Sequence, residues 1–118
     1  MLPTSNPSLE SSTKENPTSE MKIWVATTPV DMRKSFDGLA EVVRRFLEDD
    51  PLSGQLFVFR NRRGHLLKVL WWDGSGLSLF YKRLEQGEFR FPADGTRAIQ
   101  ISSQDLLRLI AGLRIECR

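Results

Sequence analysis

Residues with the most reactive side chains are almost missing from this sequence. Among 118 residues there is one cysteine, Cys117, and one histidine, His65. A single cysteine cannot form an internal disulfide or a cysteine-based zinc site, so burial and hydrogen bonding must hold the fold together. His65 stands beside a predicted turn, where a histidine is usually just solvated, and Cys117 has no histidine partner that would activate its thiol. We therefore expect no catalytic residue, no bound metal and no cofactor.

Long apolar runs and phosphate-binding glycine loops are also missing. The longest uninterrupted apolar run is four residues, whereas a membrane-spanning helix needs roughly 20. No glycine-rich loop of the type that holds nucleotide phosphates occurs, and the chain does not open with a charged and then apolar leader. These absences predict a soluble protein of the reducing cytoplasm, with no membrane partner.

The first twenty residues differ in composition from the rest. Residues 1–20 are mainly Ser, Thr, Pro, Asn and Glu, a mixture that buries too little surface to offset its ordering entropy. We expect a disordered tail over residues 1–20 and a single domain over residues 21–118, with Met21 as an alternative start of translation. Without the acidic tail the net charge rises from +2 to +4, so the domain carries a moderate basic excess.

Hydrophobic patterning predicts an α+β domain in the order strand, helix, strands, helix. Its largely antiparallel sheet should have about five or six strands, with both helices laid on one face. The predicted strands are residues 22–28, 55–60, 66–72, 77–84, 88–91 and 98–101, the last two pairing with each other. The first helix is predicted over residues 34–48, with Asp31 as its N-terminal signal. The second should follow Ser102 as N-cap, carry Asp105 at its third position and stop at Gly112.

Two short joining segments predict β-hairpins. Residues 61–64 read NRRG and residues 73–76 read DGSG. Both are short and rich in residues that tolerate positive φ, which favours tight turns between antiparallel strands.

Three carboxylates raise the possibility of metal-dependent chemistry. Nucleases and transposases hold two magnesium ions with acidic residues, and Asp31, Asp37 and Asp73 are available. Each also has an ordinary role, because Asp31 precedes a helix, Asp37 lies in a first helical turn where the dipole favours a carboxylate, and Asp73 begins a turn. A metal-dependent nuclease is thus the less favoured alternative, and it requires the three carboxylates to converge.

Basic residues carry the main functional indication. Twelve of the seventeen are arginine, which favours planar, bidentate contact with phosphate. Four of them surround the hairpin whose turn is residues 61–64, two follow on the next strand and two precede the first helix. With aromatic residues nearby, this pattern could follow a nucleic-acid backbone. A solvated hairpin whose aromatic residues belong to the core explains the same pattern. The candidate nucleic-acid-binding residues are Arg33, Lys34, Arg60, Arg62, Arg63, Lys68, Lys82 and Arg83.

Aromatic residues offer a second kind of surface. Trp71, Trp72 and Tyr81 are of the types that anchor protein interfaces. A protein-interaction module without direct DNA contact is therefore the alternative function.

Three stretches together resemble a known family. They are PVDMRKSFDGLA at residues 29–40, DPLSGQLFVFRNRRGHLLKVLWWDGSGLSLFYKRLEQGEFRFP at residues 50–92, and the closing ISSQDLLRLIAGL. They are similar to the small accessory protein, the second reading frame or TnpB, of bacterial transposons of the insertion-sequence-sixty-six family. The resemblance extends from about Ile23 to Leu113, and Phe91 stands where the family commonly has Trp.

The resemblance implies a role in transposition. Proteins of this family are encoded beside a separate transposase and are taken to assist it, with no catalytic mechanism of their own. It implies a non-catalytic accessory protein, with transposon DNA and the transposase of the same element as its partners.

Overall fold

A computed structural model describes residues 21–115. The predicted tail over residues 1–20 and Cys117 lie outside them. The sequence prediction of an α+β fold, in the order strand, helix, strands, helix, is confirmed. The elements are β1 (Ile23–Ala26), α1 (Phe36–Arg45), β2 (Leu56–Arg60), β3 (Leu66–Trp72), β4 (Leu77–Arg83), β5 (Ala98–Ile101) and α2 (Ser103–Ile110).

The five strands form one mostly antiparallel sheet in the order β4-β3-β2-β1-β5. The two predicted hairpins are present, since β2 pairs with β3 and β3 with β4 in antiparallel register. The one parallel pair is β1 with β2. Parallel neighbours need a crossover connection, and α1 lies in the segment that joins these two strands.

The two helices cover opposite faces of the sheet, so the prediction that they share one face was wrong. Alternate strand residues point to opposite sides. Val25 and Val58 lie in a cluster with Leu109 of α2, whereas Phe57 and Leu70 lie in a separate cluster with Leu39 of α1. The central strands are therefore buried on both sides, which explains their nearly continuous apolar sequence.

Helix ends follow local hydrogen bonding. Ser102 caps α2 as predicted, its hydroxyl accepting a hydrogen bond from the Asp105 amide at 3.1 Å, and Gly112 follows the helix with φ of 81°. The first helix is shorter than predicted at both ends, and Ser35 precedes it as N-cap. Asp31 is not its cap, because the Asp31 carboxylate accepts from the Arg33 amide inside the preceding loop.

Residues 88–91 do not form the predicted strand, and β5 pairs with β1 instead. The segment crosses the β2–β3 turn, where the Phe89 amide donates to the Gly64 carbonyl at 2.7 Å. The Phe89 ring fills the core beneath α2. A Cβ at Gly64 would lie 3.0 Å from the Glu88 carboxylate, and Gly64 has φ of 81°, so this crossing depends on glycine.

Among the described helices, neither is long and apolar enough to cross a bilayer.

Candidate functional site

An open groove lies where the loop after β1 meets the β2–β3 turn and the end of β4. Its volume is about 560 Å³. We call it the loop groove, and it is lined by Pro29, Val30, Asp31, Met32, Arg33, Asn61, Arg62, Leu66 and Tyr81. Three of the residues singled out from the sequence as binding candidates meet here, namely Arg33, Arg62 and Tyr81.

The loop that forms one wall is fastened to the sheet by Lys68. This side chain is only 5% exposed, and its ammonium donates to the Met32 carbonyl at 2.8 Å and to the Lys34 carbonyl at 2.7 Å. Burial lowers the pKa of Lys68, because removing the ammonium from water disfavours its charged form. Lys68 was a predicted nucleic-acid contact, but its ammonium is turned inward and already hydrogen-bonded, so the structure places it behind the groove.

Tyr81 covers the same lysine from the neighbouring strand. The two residues are cross-strand partners in the β3–β4 register, and the Lys68 ammonium lies 4.5 Å from the centroid of the Tyr81 ring. A cation over an aromatic face is an attractive contact, more so when it is withdrawn from water. Tyr81 is nevertheless 53% exposed and lines the groove, so it offers an aromatic surface there.

Asn61 shapes the turn that forms the other wall. Its side-chain oxygen accepts from the amides of Gly64 and Leu66, each at 3.0 Å, and its amide group lies 3.0 Å from His65 Nδ1. These bonds hold the turn closed, and they give the single histidine a structural neighbour. The turn therefore presents Arg62 and Arg63 at its tip, where both are exposed.

The tip arginines have no ionic partner within residues 21–115, since neither takes part in any of the salt bridges found there. Two other predicted contacts are already paired. Arg83 bonds Glu85 at 2.9 Å, and Arg33 bonds Asp31 at 2.7 Å. Both pairs are exposed, so water and salt screen the attraction between their charges.

The Asp31–Arg33 pair sets the charge of the groove wall that the loop forms. The Arg33 guanidinium, and next its backbone amide, donate to the Asp31 carboxylate and lower the pKa of Asp31 to about 2. The carboxylate raises the pKa of Arg33 in turn. Because both groups stay charged, they nearly cancel, and Arg62 is the lining cation that forms no salt bridge within residues 21–115.

The remaining predicted basic residues do not join this group. Arg60 pairs across the sheet with Leu67, on the α2 side, where its guanidinium donates to the Thr27 carbonyl and lies 5.2 Å from the Phe91 ring. Partial burial lowers the pKa of Arg60. Lys82 bonds the Ile110 carbonyl at 2.9 Å, at the end of α2, where a cation suits the helix dipole.

Lys34 completes the set of eight basic residues. Its side chain is exposed and lines a neighbouring hollow of about 310 Å³, which shares Pro29, Val30 and Asp31 with the loop groove. Its carbonyl accepts from Lys68, so the backbone of Lys34 is fixed while its ammonium faces solvent.

The two tryptophans predicted as interface anchors lie away from the groove. Trp71 packs against the cluster beneath α2, and Trp72 pairs with Leu77 beside the β3–β4 turn, at the opposite end of β3 from Leu66. Of the three aromatic residues predicted as interface anchors, only Tyr81 belongs to the site.

The three carboxylates of the nuclease alternative do not converge. Asp31 lies in the loop groove, Asp37 lies in the first turn of α1, and Asp73 closes the β3–β4 turn by accepting from Ser75 and Gly76. These hydrogen bonds lower the pKa of Asp73 to about 2. Within residues 21–115 no three His, Cys, Asp or Glu side chains lie close enough to hold a metal ion, so the geometry required by that alternative is missing.

Sequence reasoning missed two residues that build the site, Asn61 and Met32. The role of Asn61 could have been recognised from the sequence, since an Asn before a glycine-containing turn often accepts hydrogen bonds from nearby backbone amides. Met32 contributes through its carbonyl, which no side-chain pattern reveals.

Sequence comparison finds similar proteins over most of the chain. A family model described as IS66 Orf2 like protein matches residues 21–118. Uncharacterized protein y4hO of Sinorhizobium fredii is 47% identical over 93 residues, covering 79% of this chain and 81% of that protein. Uncharacterized protein y4jC of the same organism is 42% identical over 97 residues, covering 82% and 83%. No solved structure matches the chain significantly.

Replacing the buried ammonium should destabilise the domain. In Lys68→Met the bulk remains but the Met32 carbonyl loses its donor, and an unsatisfied buried acceptor costs about 1–3 kcal/mol. We expect the free energy of unfolding, measured by urea denaturation, to fall by that amount. Lys22→Met, at an exposed lysine, is the control and should change it by less than about 0.5 kcal/mol. A Lys68→Met variant as stable as the control would contradict the anchoring role.

The Asp31–Arg33 pair predicts a pH dependence. A carboxyl whose pKa is lowered by folding, here from 3.8 to about 2, stabilises the fold above its unfolded pKa and loses that contribution as the pH falls through the folded value. Carboxyl carbon NMR should show Asp31 titrating near pH 2, and nearer its ordinary value in Arg33→Gln. Wild type should also lose stability more steeply than Asp31→Asn between pH 4 and pH 2. Titration of Asp31 at its ordinary value in wild type would exclude the pairing in solution.

Proposed function

The chain belongs to the IS66 Orf2-like family, and we propose that it is a non-catalytic accessory protein of DNA transposition. In this proposal it contacts phosphates of the transposon DNA through the loop groove and the β2–β3 turn. It acts in the bacterial cytoplasm, where that DNA lies.

The observation that carries the proposal is the pair of exposed arginines at the tip of the β2–β3 turn. Arg62 and Arg63 project from a turn that Asn61 holds closed, so little conformational freedom of the backbone remains to be lost on binding. Neither forms a salt bridge with a carboxylate among residues 21–115. A guanidinium without a partner is suited to bidentate contact with phosphate oxygens.

Basic neighbours extend this surface around the groove. Arg33 is exposed on the opposite wall, and Lys34 is exposed in the adjoining hollow. Arg33 is shared with Asp31, but an exposed ion pair is weak, so phosphate can compete for its guanidinium. A backbone that passes over the groove would thus meet positive charge on both sides.

Salt dependence tests this interaction. Each phosphate neutralised by a cation adds about −0.9 to the slope of log affinity against log salt concentration. Arg62→Gln/Arg63→Gln should lower affinity for DNA from the ends of the element. It should also reduce the magnitude of the slope by roughly 2, because each of the two guanidiniums removed would neutralise one phosphate. Fluorescence anisotropy across a salt series measures both quantities.

The matched control removes two arginines elsewhere. Arg44 and Arg45 are exposed in the last turn of α1, where they pair with Glu41, and they do not line the groove. Arg44→Gln/Arg45→Gln changes the net charge by the same amount as the tip variant. Because these two arginines lie outside the groove, we expect it to leave the slope nearly unchanged. Equal losses of affinity in both double variants would show a general charge effect and contradict a localised contact, and absence of salt-sensitive binding in wild type would refute DNA binding.

Contact with the transposase is the second candidate function, and the edge strand β4 favours it. Phe80 is 39% and Tyr81 53% exposed there, and β4 has a strand partner on one side only among residues 21–115. Exposed aromatic residues on a sheet edge are suited to binding an extended segment of another protein.

Co-purification after nuclease treatment tests this contact. Wild type should retain the transposase of the same element, whereas Phe80→Thr, which keeps the strand propensity of the site, should lower the retained amount at least about tenfold, as expected when an interface anchor is removed. Leu52→Thr is the control, because Leu52 is 46% exposed in a turn outside the sheet. Equal retention by wild type and Phe80→Thr would exclude the β4 edge as the contact.

A further inference from the structure

We propose that the loop groove takes an unpaired nucleotide of the DNA, with its base stacked on Tyr81 and its phosphate at Arg62. This inference rests on the proposed DNA contact and adds that the groove prefers single-stranded or unpaired DNA to duplex DNA.

The orientation of Tyr81 is the first step. The Lys68 ammonium, itself 5% exposed, lies 4.5 Å from the ring centroid, so this side of the ring faces the protein interior. Tyr81 lines the groove, and the residue is 53% exposed. The face away from Lys68 is therefore open, and an open aromatic face is the surface on which nucleic-acid bases stack.

Lys68 also fixes the position of that ring. The ammonium cannot easily move, because it is held by two backbone carbonyls at 2.7 and 2.8 Å. Attraction between the cation and the ring keeps Tyr81 over it. Lys68 is therefore a positioning residue, and a base that stacks on the preset ring loses less free energy to side-chain ordering.

The lining of the groove suits a base more than a phosphate alone. Pro29, Val30 and Leu66 contribute apolar surface next to Arg33 and Arg62. Its volume of about 560 Å³ falls within the range of about 300–1,000 Å³ that takes small organic ligands, a size class that includes a single nucleotide.

Duplex DNA cannot use this surface in the same way. Its phosphates lie outside and its bases are stacked within the helix, so a base can stack on Tyr81 only when it is unpaired or turned out. Duplex DNA would then bind through its phosphates alone, whereas single-stranded DNA would add the contact with Tyr81.

Binding of two oligonucleotides to the full chain tests the inference. Anisotropy is measured with a single-stranded thymidine 12-mer and with a duplex of the same length. Tyr81→Leu keeps apolar bulk over Lys68 but removes the aromatic face, and Tyr81→Phe keeps that face. We expect Tyr81→Leu to weaken single-strand binding roughly 5- to 100-fold and to leave duplex binding unchanged, with Tyr81→Phe close to wild type.

A spectroscopic signal locates the contact. Tyr81 is the only tyrosine in the chain, so incorporation of 3-fluorotyrosine gives a single fluorine resonance. Addition of the thymidine 12-mer to wild type should shift it, and addition of the duplex should shift it much less. The shift should survive in Arg44→Gln/Arg45→Gln.

The failures of the two proposals are distinguishable. If both DNA forms bind with a dependence on Arg62 and Arg63, but Tyr81→Leu binds the 12-mer like wild type, the stacked nucleotide is refuted and the phosphate contact stands. Equal weakening of both forms by Tyr81→Leu also refutes it, since strand selection is then missing. If neither form binds, both proposals fail.

Discussion

A buried ammonium that has no carboxylate partner among residues 21–115 organises the end of the domain that holds the loop groove. Lys68 stands in the otherwise apolar strand β3, and its charge is met by the carbonyls of Met32 and Lys34 and by the ring of Tyr81. Taking a charge out of water is costly, so the loop and β4 must both be in place before β3 can bury this side chain. One cation thereby fixes a loop wall, a ring and the groove between them.

Alternation along the strands explains how the arginine-rich hairpin is divided. Neighbouring strand residues face opposite sides, so Arg60 and Lys82 lie on the α2 side, while Lys68 and Arg83 lie on the α1 side. Only the turn residues escape this rule, which is why Arg62 can line the groove together with residues of the loop. The basic cluster that looks continuous in sequence is thus divided into three groups, on the α2 side, on the α1 side and at the turn. Of the three, the turn group is the one that borders the groove, through Arg62.

Local features of the fold were predictable from the sequence, whereas relations between elements were less so. The hairpin turns and the Ser102 cap depend on a few adjacent residues, and turn and cap chemistry identifies them. The faces chosen by the helices depend on which alternate set of strand residues each one covers, and with LFVF in β2 both sets are apolar. Periodicity alone cannot choose between them. The tip arginines of the site were predictable for the same local reason, but the inward turn of Lys68 depends on a loop more than thirty residues away.

The pairing of β1 with β5 has a consequence for synthesis of the chain. Ile23 lies beside Ile101 in the sheet. The outer edge of β1 therefore stays uncovered until β5, the last strand, has been synthesised. Contacts so distant in sequence slow folding, and an uncovered strand edge can pair with other chains. A ribosome would have to release almost the whole domain before β5 could cover that edge of β1.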